Sequence, residues 1–148
     1  MSRAPFQVLV LPFIRQNEGE ILYAVFSRAD DELGYWQFVA GGGEGNETPL
    51  AAAKREAKEE ASIDPDSLYL QLDSCTTIPV VDVCGFLWGS GVLVIPEYAF
   101  AVEMRDQAIT ISEHCAFRWV TYCEARELLH WDSNRNALWE LNHRLTPA

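Results

Sequence analysis

The segment 35–63 constrains the fold more than any other part of the chain. An aromatic and apolar run over 35–39 leads directly into Gly41, Gly42 and Gly43. The residues over 50–61 are almost all good helix formers. Thr48 suits the N-cap of that helix, and Pro49 suits its first position, where a missing N–H costs nothing. This order predicts a strand, a glycine-rich loop that approaches a ligand closely, and a helix.

The flanking sequence adds strands before this unit and both strands and helices after it. Apolar and β-rich runs predict a hairpin over 6–14 and 21–26, and further strands over 68–79, 80–88, 92–104 and 117–120. Helical patterns follow over 122–130 and 133–145. We therefore expect a single domain over 1–148 with an α/β (α+β) sandwich architecture, in which a mixed β-sheet is packed between helices.

The charge balance excludes several partners. The chain has 22 acidic and 11 basic residues, for a formal net charge of −11. Duplex nucleic acid and anionic membranes require a basic surface, which this composition does not offer. A small anionic ligand would be repelled unless cations intervene. No apolar stretch approaches the roughly 18 residues of a membrane helix, and the amino-terminal run reads as a strand, so we expect a cytoplasmic protein, either a monomer or a homodimer.

The four cysteines, at positions 75, 84, 115 and 123, form no CxxC pair. Their spacing suggests neither a zinc site nor a disulfide framework. We expect them to be small buried hydrophobic residues.

The predicted helix carries a cluster of carboxylates. Glu56, Glu59 and Glu60 fall within about 100° around the helix axis. Leu50, Ala53 and Ala57 form an adjacent apolar stripe, so the acidic face lies beside the buried side. Crowded carboxylates there raise one another's pKa unless cations neutralise them, and hard cations such as Mg²⁺ suit oxygen ligands. A solvated acidic face is the alternative interpretation.

The full spacing is more specific than the cluster. Gly41 is followed after five residues by Glu47, and after seven more by Arg55-Glu56-Ala57-Lys58-Glu59-Glu60-Ala61-Ser62-Ile63. This pattern over 41–63 resembles the Nudix box, G-x5-E-x7-R-E-U-x-E-E-x-G-U, in which U is a bulky aliphatic residue. Ala57 is a small residue at the U position, and Ser62 replaces the last glycine. If Ser62 adopts a positive φ, the substitution costs about 1 kcal/mol.

The resemblance implies an activity and a set of roles. Nudix enzymes hydrolyse a nucleoside diphosphate linked to another group, using Mg²⁺ or Mn²⁺. By this analogy Glu56 and Glu60 are the main metal ligands, and Glu59 is a ligand or orients the base. Arg55 positions the acids and can pair with Glu59 at i+4. Glu47 braces the glycine loop, and Gly41 and Gly42 lie beside the substrate.

Further segments resemble the branch of the family that hydrolyses dATP or dihydroneopterin triphosphate. These segments are Arg28, Asp30-Asp31, Tyr35-Trp36-Gln37, Ser112-Glu113-His114, Phe117-Arg118-Trp119 and Ser133-Asn134-Arg135. The branch implies that Glu113 supplies an extra carboxylate or the general base. Glu97 and Glu103 are rival sources of that carboxylate.

Other candidate residues have two interpretations each. Arg28 either contacts phosphates or pairs with Asp30 or Asp31 at the surface. Trp36 either stacks on a base or belongs to the core, and His114 either contacts substrate or is structural. Asn134 and Arg135 either serve the site or only cap and solvate the last helix.

The sequence thus predicts hydrolysis of a small-molecule nucleoside or pterin triphosphate to a monophosphate and pyrophosphate. The alternatives are an ADP-ribose or dinucleoside polyphosphate hydrolase, suggested by Pro79, and a non-catalytic Nudix module that binds a nucleotide.

Overall fold

A long first strand, β1 (Arg3–Arg15), organises the sheet in the computed structural model, which describes residues 2–28, 34–111 and 115–146. The other strands are β2 (Ile21–Arg28), β3 (Trp36–Gln37), β4 (Val39–Glu44), β5 (Leu68–Pro79), β6 (Val94–Glu103) and β7 (Cys115–Val120). The helices are α1 (Pro49–Ala61), α2 (Tyr122–Leu128) and α3 (Asp132–Leu145). None of the helices in the described ranges has the length and hydropathy needed to cross a membrane.

Strand β1 has different partners along its length. It pairs with β6 in parallel on one edge. On its other edge it pairs antiparallel with β4 through its first half and with β2 through its last residues. The sheet then continues from β6 to β5 and from β2 to β3 and β7. The predicted hairpin of β1 and β2 and the mixed sheet are therefore confirmed.

The helices cover opposite faces of this sheet. Helix α1 packs one face through alanines against Val8, Val10 and Phe100; those buried alanines are Ala52, Ala53, Ala57 and Ala61. Helices α2 and α3 cover the other face with residues such as Leu138 and Leu141, which pack with Leu9 and Leu11. The predicted sandwich is confirmed. Leu50 is an exception to the predicted stripe, because it lies in the first turn of α1 and is 41% exposed.

Two predicted elements differ from the structure. The glycines at 41–43 belong to strand β4 and pair with β1, so the predicted loop there is wrong. The predicted strand over 80–88 is also wrong: a 3₁₀ turn at Val80–Asp82 is followed by Gly85 and Gly89, whose positive φ values interrupt an extended backbone.

The prediction of buried cysteines is wrong as well. Cys75, Cys84 and Cys123 are exposed, Cys115 is half-buried, and none of the four is disulfide-bonded. Cys75 lies on β5 at the edge of the sheet, and Cys123 lies in the first turn of α2. These cysteines are exposed because of where the topology places them, at a sheet edge and at the start of a helix. Composition and spacing do not predict such positions.

The carboxylate of Glu140 fastens helix α3 to β5, together with an ion pair between Arg144 of α3 and Asp73 of β5 at 2.9 Å. The register of β5 shifts between Gln71 and Cys75, which frees the N–H groups of Asp73 and Ser74 from the ladder. Glu140 accepts hydrogen bonds from both, at 2.8 and 2.7 Å, and from the Ser74 hydroxyl at 2.6 Å. Although burial opposes ionisation, these hydrogen bonds and one from Arg144 lower the pKa of Glu140 to about 2. These hydrogen bonds of Glu140 fix α3 against the sheet.

Candidate functional site

The candidate site lies where α1 approaches strand β4. Gly41 pairs with Val8 in the sheet, on the face that α1 covers. A Cβ atom at Gly41 would overlap the carboxyl group of Glu56. The absence of a side chain at Gly41 therefore leaves room for the Glu56 carboxyl group against the strand, and the small side chain of Ala57, which is fully buried, lets the helix pack closely on the sheet. The small residue at the U position of the box is explained by this packing.

Arg55 ties the helix to the strand and to the preceding turn. Its Nε and Nη2 donate to the two carboxylate oxygens of Glu47, at 2.8 and 3.0 Å, and Nη2 also donates to the Gly42 carbonyl at 2.8 Å. Its Nη1 donates to Glu56 at 3.0 Å and to Glu59 at 3.3 Å. The planar guanidinium thus holds several acceptors in fixed directions. The predicted Arg55–Glu59 pair is present.

Glu47 is the anchor of this network. It accepts the backbone N–H of Glu44 at 2.9 Å as well as the two bonds from Arg55. The hydrogen bond from Arg55 lowers the pKa of Glu47, although burial opposes this. Its position agrees with the predicted bracing of the glycine segment.

Glu56 and Glu60 lie one helical turn apart with hydrogen-bonding contact between their carboxyl groups. The side chain of Glu56 is 13% exposed. Burial raises the pKa of Glu56, although its hydrogen bond from Arg55 lowers it. Burial likewise raises the pKa of Glu60 to about 7; the Glu56 carboxylate adds to the rise and the positive charge of Arg28 opposes it. The positive charges near Glu56 and Glu60 do not balance the negative charge that the two carboxylates would carry together.

The oxygen pair fits a hard divalent cation. Among the residues that the structure describes, no three acidic, histidine or cysteine side chains converge as a complete ligand set. Mg²⁺ usually uses one or two carboxylates and completes its shell with water and substrate phosphates. Two adjacent, undercompensated carboxylates meet that need. Glu59 is 59% exposed, but the Arg55 Nη1 atom that contacts Glu56 also contacts Glu59. The charge of Glu59 adds to the rise in the pKa of both Glu56 and Glu60, and its part as a ligand or in orienting the base stays a prediction.

The other predicted residues are distributed unevenly. The charge of Arg28, an exposed residue at the end of β2, acts on Glu60, which places a cation beside the pair. Trp36 packs against the core on the α3 face, and the Arg118 guanidinium lies 5.8 Å from its ring centre, which favours the structural interpretation. Glu113 and His114 lie outside the described residues, as do Asp30 and Asp31.

The two rival carboxylates are on the wrong face of the sheet. Glu97 and Glu103 pair with Gln7 and Phe13 of β1 and alternate with residues that face α1, so both face α3. Glu103 also forms an ion pair with Arg15 at 3.4 Å. Neither side chain therefore contacts Glu56 and Glu60, and the source of the extra carboxylate stays a prediction.

Sequence reasoning missed the role of Asn134. This buried side chain accepts the backbone N–H of Phe38 at 2.8 Å, between β3 and β4. Arg135 donates to the carbonyls of Leu129 and His130 at 2.7 and 3.0 Å. Both residues fasten the carboxy-terminal helices and do more than solvate α3. The partner of Asn134 lies 96 positions away, and the partners of Arg135 are backbone carbonyls, so no local pattern of residue types predicts either contact.

The end of α1 contains a strained residue. Ser62 has φ 58° and ψ 34°, and its N–H donates to the Lys58 carbonyl at 3.0 Å. Its hydroxyl donates to the Thr110 carbonyl at 3.2 Å. The expected positive φ is confirmed at this position, where the Nudix box has glycine. The left-handed conformation costs a residue with a side chain about 1 kcal/mol relative to glycine.

We expect Ser62→Gly to be more stable than Ser62→Ala by about 1 kcal/mol. Both variants lose the hydrogen bond to Thr110, so their difference isolates the backbone strain. Urea denaturation followed by circular dichroism measures it. Equal stabilities of the two variants would contradict the left-handed conformation of Ser62.

Comparison with known proteins agrees with this geometry. The family model described as NUDIX domain matches residues 5–140. The chain is 29% identical over 140 residues to the dihydroneopterin triphosphate diphosphatase of Escherichia coli strain K12, covering 92% of this chain and 91% of that protein.

Two solved structures are similar over almost the whole chain. A protein of Listeria monocytogenes named as a NUDIX hydrolase has a TM-score of 0.86 and 42% identity, covering 96% of this chain and 94% of that one. The E. coli dihydroneopterin triphosphate pyrophosphohydrolase has a TM-score of 0.76 and 25% identity, covering 96% and 99%.

These matches and the arrangement of α1 on β4 define a hydrolase that acts on phosphoric anhydrides. The chain belongs to the Nudix family. Members of this family generally use divalent metal ions.

Proposed function

We propose that the chain hydrolyses a nucleoside triphosphate or a pterin triphosphate with Mg²⁺ or Mn²⁺, releasing pyrophosphate and a monophosphate. The observation that carries this proposal is the contact between the half-buried carboxyl groups of Glu56 and Glu60 beside Gly41. The similarity to dihydroneopterin triphosphate diphosphatase supports the substrate class.

Each residue of the site has a defined task in this reaction. Glu56 and Glu60 hold the metal ion, which neutralises phosphate charge and lowers the pKa of water when bound. Arg55 keeps Glu56 and Glu59 in place through the same nitrogen, Nη1, and Glu59 is a further ligand or orients the base. Arg28 offers a positive charge to the phosphates on the side of Glu60. We retain Glu113 as the candidate general base.

Water supplies the oxygen in this hydrolysis. It adds to a phosphorus atom, the anhydride bond breaks, and the leaving pyrophosphate keeps the bridging oxygen. The general base accepts the proton of the water. On a chain with a net charge of −11, the cation and Arg28 are needed to admit an anionic substrate.

The ADP-ribose alternative gains no support from the described residues. Pro79 is exposed at the end of edge strand β5 and pairs with Val94, away from the α1 glutamates. We therefore keep a single proposed reaction.

A substrate panel tests the proposal. We expect dATP, dGTP or dihydroneopterin triphosphate to give pyrophosphate and the monophosphate with Mg²⁺, and no product after chelation with EDTA. Chromatography of products and a pyrophosphate assay measure this. AMP and ribose phosphate from ADP-ribose would favour the alternative hydrolase, and calorimetric binding without turnover would favour a non-catalytic module.

A further inference from the structure

A small cavity lies on the opposite face of the sheet from Glu56 and Glu60, under the start of α3. Its volume is about 210 Å³. Leu9 and Ala99 form an apolar part, and Thr76, Glu97, Ser133 and Asn136 add polar groups. Sites for drug-sized ligands span roughly 300–1,000 Å³. The cavity therefore suits one heterocyclic ring system better than a whole nucleotide.

Glu97 is the charged group of this cavity. It lies on β6 and is only 7% exposed. The Ser133 hydroxyl hydrogen bonds to its carboxylate. Among the described residues, no lysine or arginine forms an ion pair with it. Burying a carboxylate is costly unless it is paired and fully hydrogen-bonded, and burial accordingly raises the pKa of Glu97.

The carboxylate of Glu97 is held in position by a relay of hydrogen bonds. Ser133 Oγ accepts from Asn134 Nδ2 at 3.2 Å. The Oδ1 atom of Asn134 accepts the Phe38 N–H at 2.8 Å, so the relay ends on the backbone next to β4. A side chain fixed in this way can discriminate between ligands, because it does not rotate to suit each one.

An ionised carboxylate only accepts hydrogen bonds, and its two oxygens match a pair of parallel N–H groups. The 2-amino-4-oxo edge shared by guanine and pterins presents such a pair, namely the ring N–H and the amino group. Adenine presents an amino group beside an acceptor nitrogen. A carboxylate oxygen facing that nitrogen would be repelled, because neither atom carries a hydrogen to donate. The chemistry of Glu97 therefore favours the guanine and pterin edge.

The cavity and the α1 glutamates are close enough to serve one substrate. Glu97 pairs with Gln7 of β1, and Gln7 pairs with Gly42 of β4, beside Gly41. Two strand spacings, about 9.6 Å, separate Glu97 from Gly42 in the sheet. Among the described residues β4 has β1 as its only strand partner, so a phosphate chain with its linking group can cross this distance and pass around the β4 edge to Glu56 and Glu60.

A cation lies along this path. The Arg3 guanidinium contacts Gly42 on the cavity side of the sheet and donates to Gln7 Oε1 at 2.7 Å. Its buried Nε has no hydrogen-bond partner among the described residues. The guanidinium forms no ion pair with a carboxylate among the described residues, and its positive charge favours the passage of an anionic chain between the two places.

We propose that Glu97 determines the substrate's heterocycle, by accepting both N–H groups of a 2-amino-4-oxopyrimidine ring such as guanine or a pterin. The inference rests on the proposed function and narrows its substrate class. Dihydroneopterin triphosphate and dGTP are then better substrates than dATP.

The test is the Glu97→Gln variant, which replaces one acceptor oxygen with a donor of the same size. Glutamine pairs with the donor–acceptor edge of adenine. We expect the ratio of kcat/KM for dGTP to that for dATP to fall by about 5- to 150-fold, the range of one bidentate base contact. Steady-state pyrophosphate release measures both values. An unchanged ratio in an active variant would overturn the inference and leave the proposed function intact.

Glu103→Gln is the matched control. Glu103 lies on the same strand and the same face as Glu97, outside the cavity, and we expect its ratio to equal that of the wild type. Thermal unfolding checks that both variants fold. If Glu97→Gln does not fold, Glu97→Ala serves instead, and it should lower the same ratio without a gain for dATP.

A binding measurement separates the inference from the hydrolysis itself. Calorimetric titration of the wild-type protein with dGMP and with dAMP needs no turnover. We expect tighter binding of dGMP, and loss of that preference in Glu97→Gln. If no triphosphate is hydrolysed but this preference holds, the proposed function fails and the role of Glu97 stands. Equal binding of the two monophosphates would overturn the role of Glu97.

Discussion

Replacing Glu60 with glutamine is expected to lower kcat for a triphosphate substrate by about 10²-fold or more. Glutamine keeps the shape of the side chain but removes one of the two anionic groups that share the half-buried position near Gly41. Turnover at saturating Mg²⁺ measures the loss, and calorimetry with Mn²⁺ measures the weakened metal binding.

The stability of the same variant identifies the cause of the loss. Burial and the negative charge of Glu56 both disfavour an ionised Glu60 without metal, so metal-free Glu60→Gln should be at least as stable as the wild type. Glu127→Gln, which changes an exposed carboxylate on α2, is the matched control and should keep full turnover. Near-normal turnover of Glu60→Gln would refute the assignment of Glu60.

Replacing Arg55 with lysine is expected to reduce both stability and activity. Lysine keeps the charge but cannot donate at once to Glu47, Glu56 and the Gly42 carbonyl. We expect a loss of roughly 2 kcal/mol in the free energy of unfolding, since the Arg55 side chain is 21% exposed and its partners are partly buried. We also expect kcat to fall by about 10- to 100-fold, as for residues that orient metal ligands.

Denaturant unfolding and pyrophosphate release measure these two effects. Lys58→Gln, on the exposed side of the same helix, is the control for a change of a basic residue in α1 and should alter neither by much. If Arg55→Lys matched the wild type in both measurements, the hydrogen-bond network would not position the carboxylates.

Local signals predicted helix α1 well. Thr48 accepts the Ala51 N–H at 3.1 Å, and Pro49 occupies the first position, as the sequence indicated. The contact of Glu56 with Glu60 also follows from helical spacing. These features depend on residues a few positions apart, which a single sequence displays directly.

Features that depend on distant partners were not predictable in this way. Glycines have low strand propensity, yet those of β4 are extended because β1 pairs with them. The face on which Glu97 lies depends on which side of β6 the helix α3 covers. The opposite charges of Glu47 and Arg55 were visible in the sequence and hinted at a bond between them. The hydrogen bond forms because the turn before α1 brings the two side chains together, and the sequence alone does not show that turn.

The hydrogen bond between Phe38 and Asn134 affects when, during synthesis of the chain, the protein can become active. Those residues are 96 positions apart, and one belongs to the strand region beside the glutamates while the other belongs to the last helix. A nascent chain that has emerged from the ribosome only as far as α2 lacks the partner of the Phe38 N–H and one wall of the cavity. We therefore expect enzymatic competence to arise only when synthesis is almost finished, although helix α1 emerges long before.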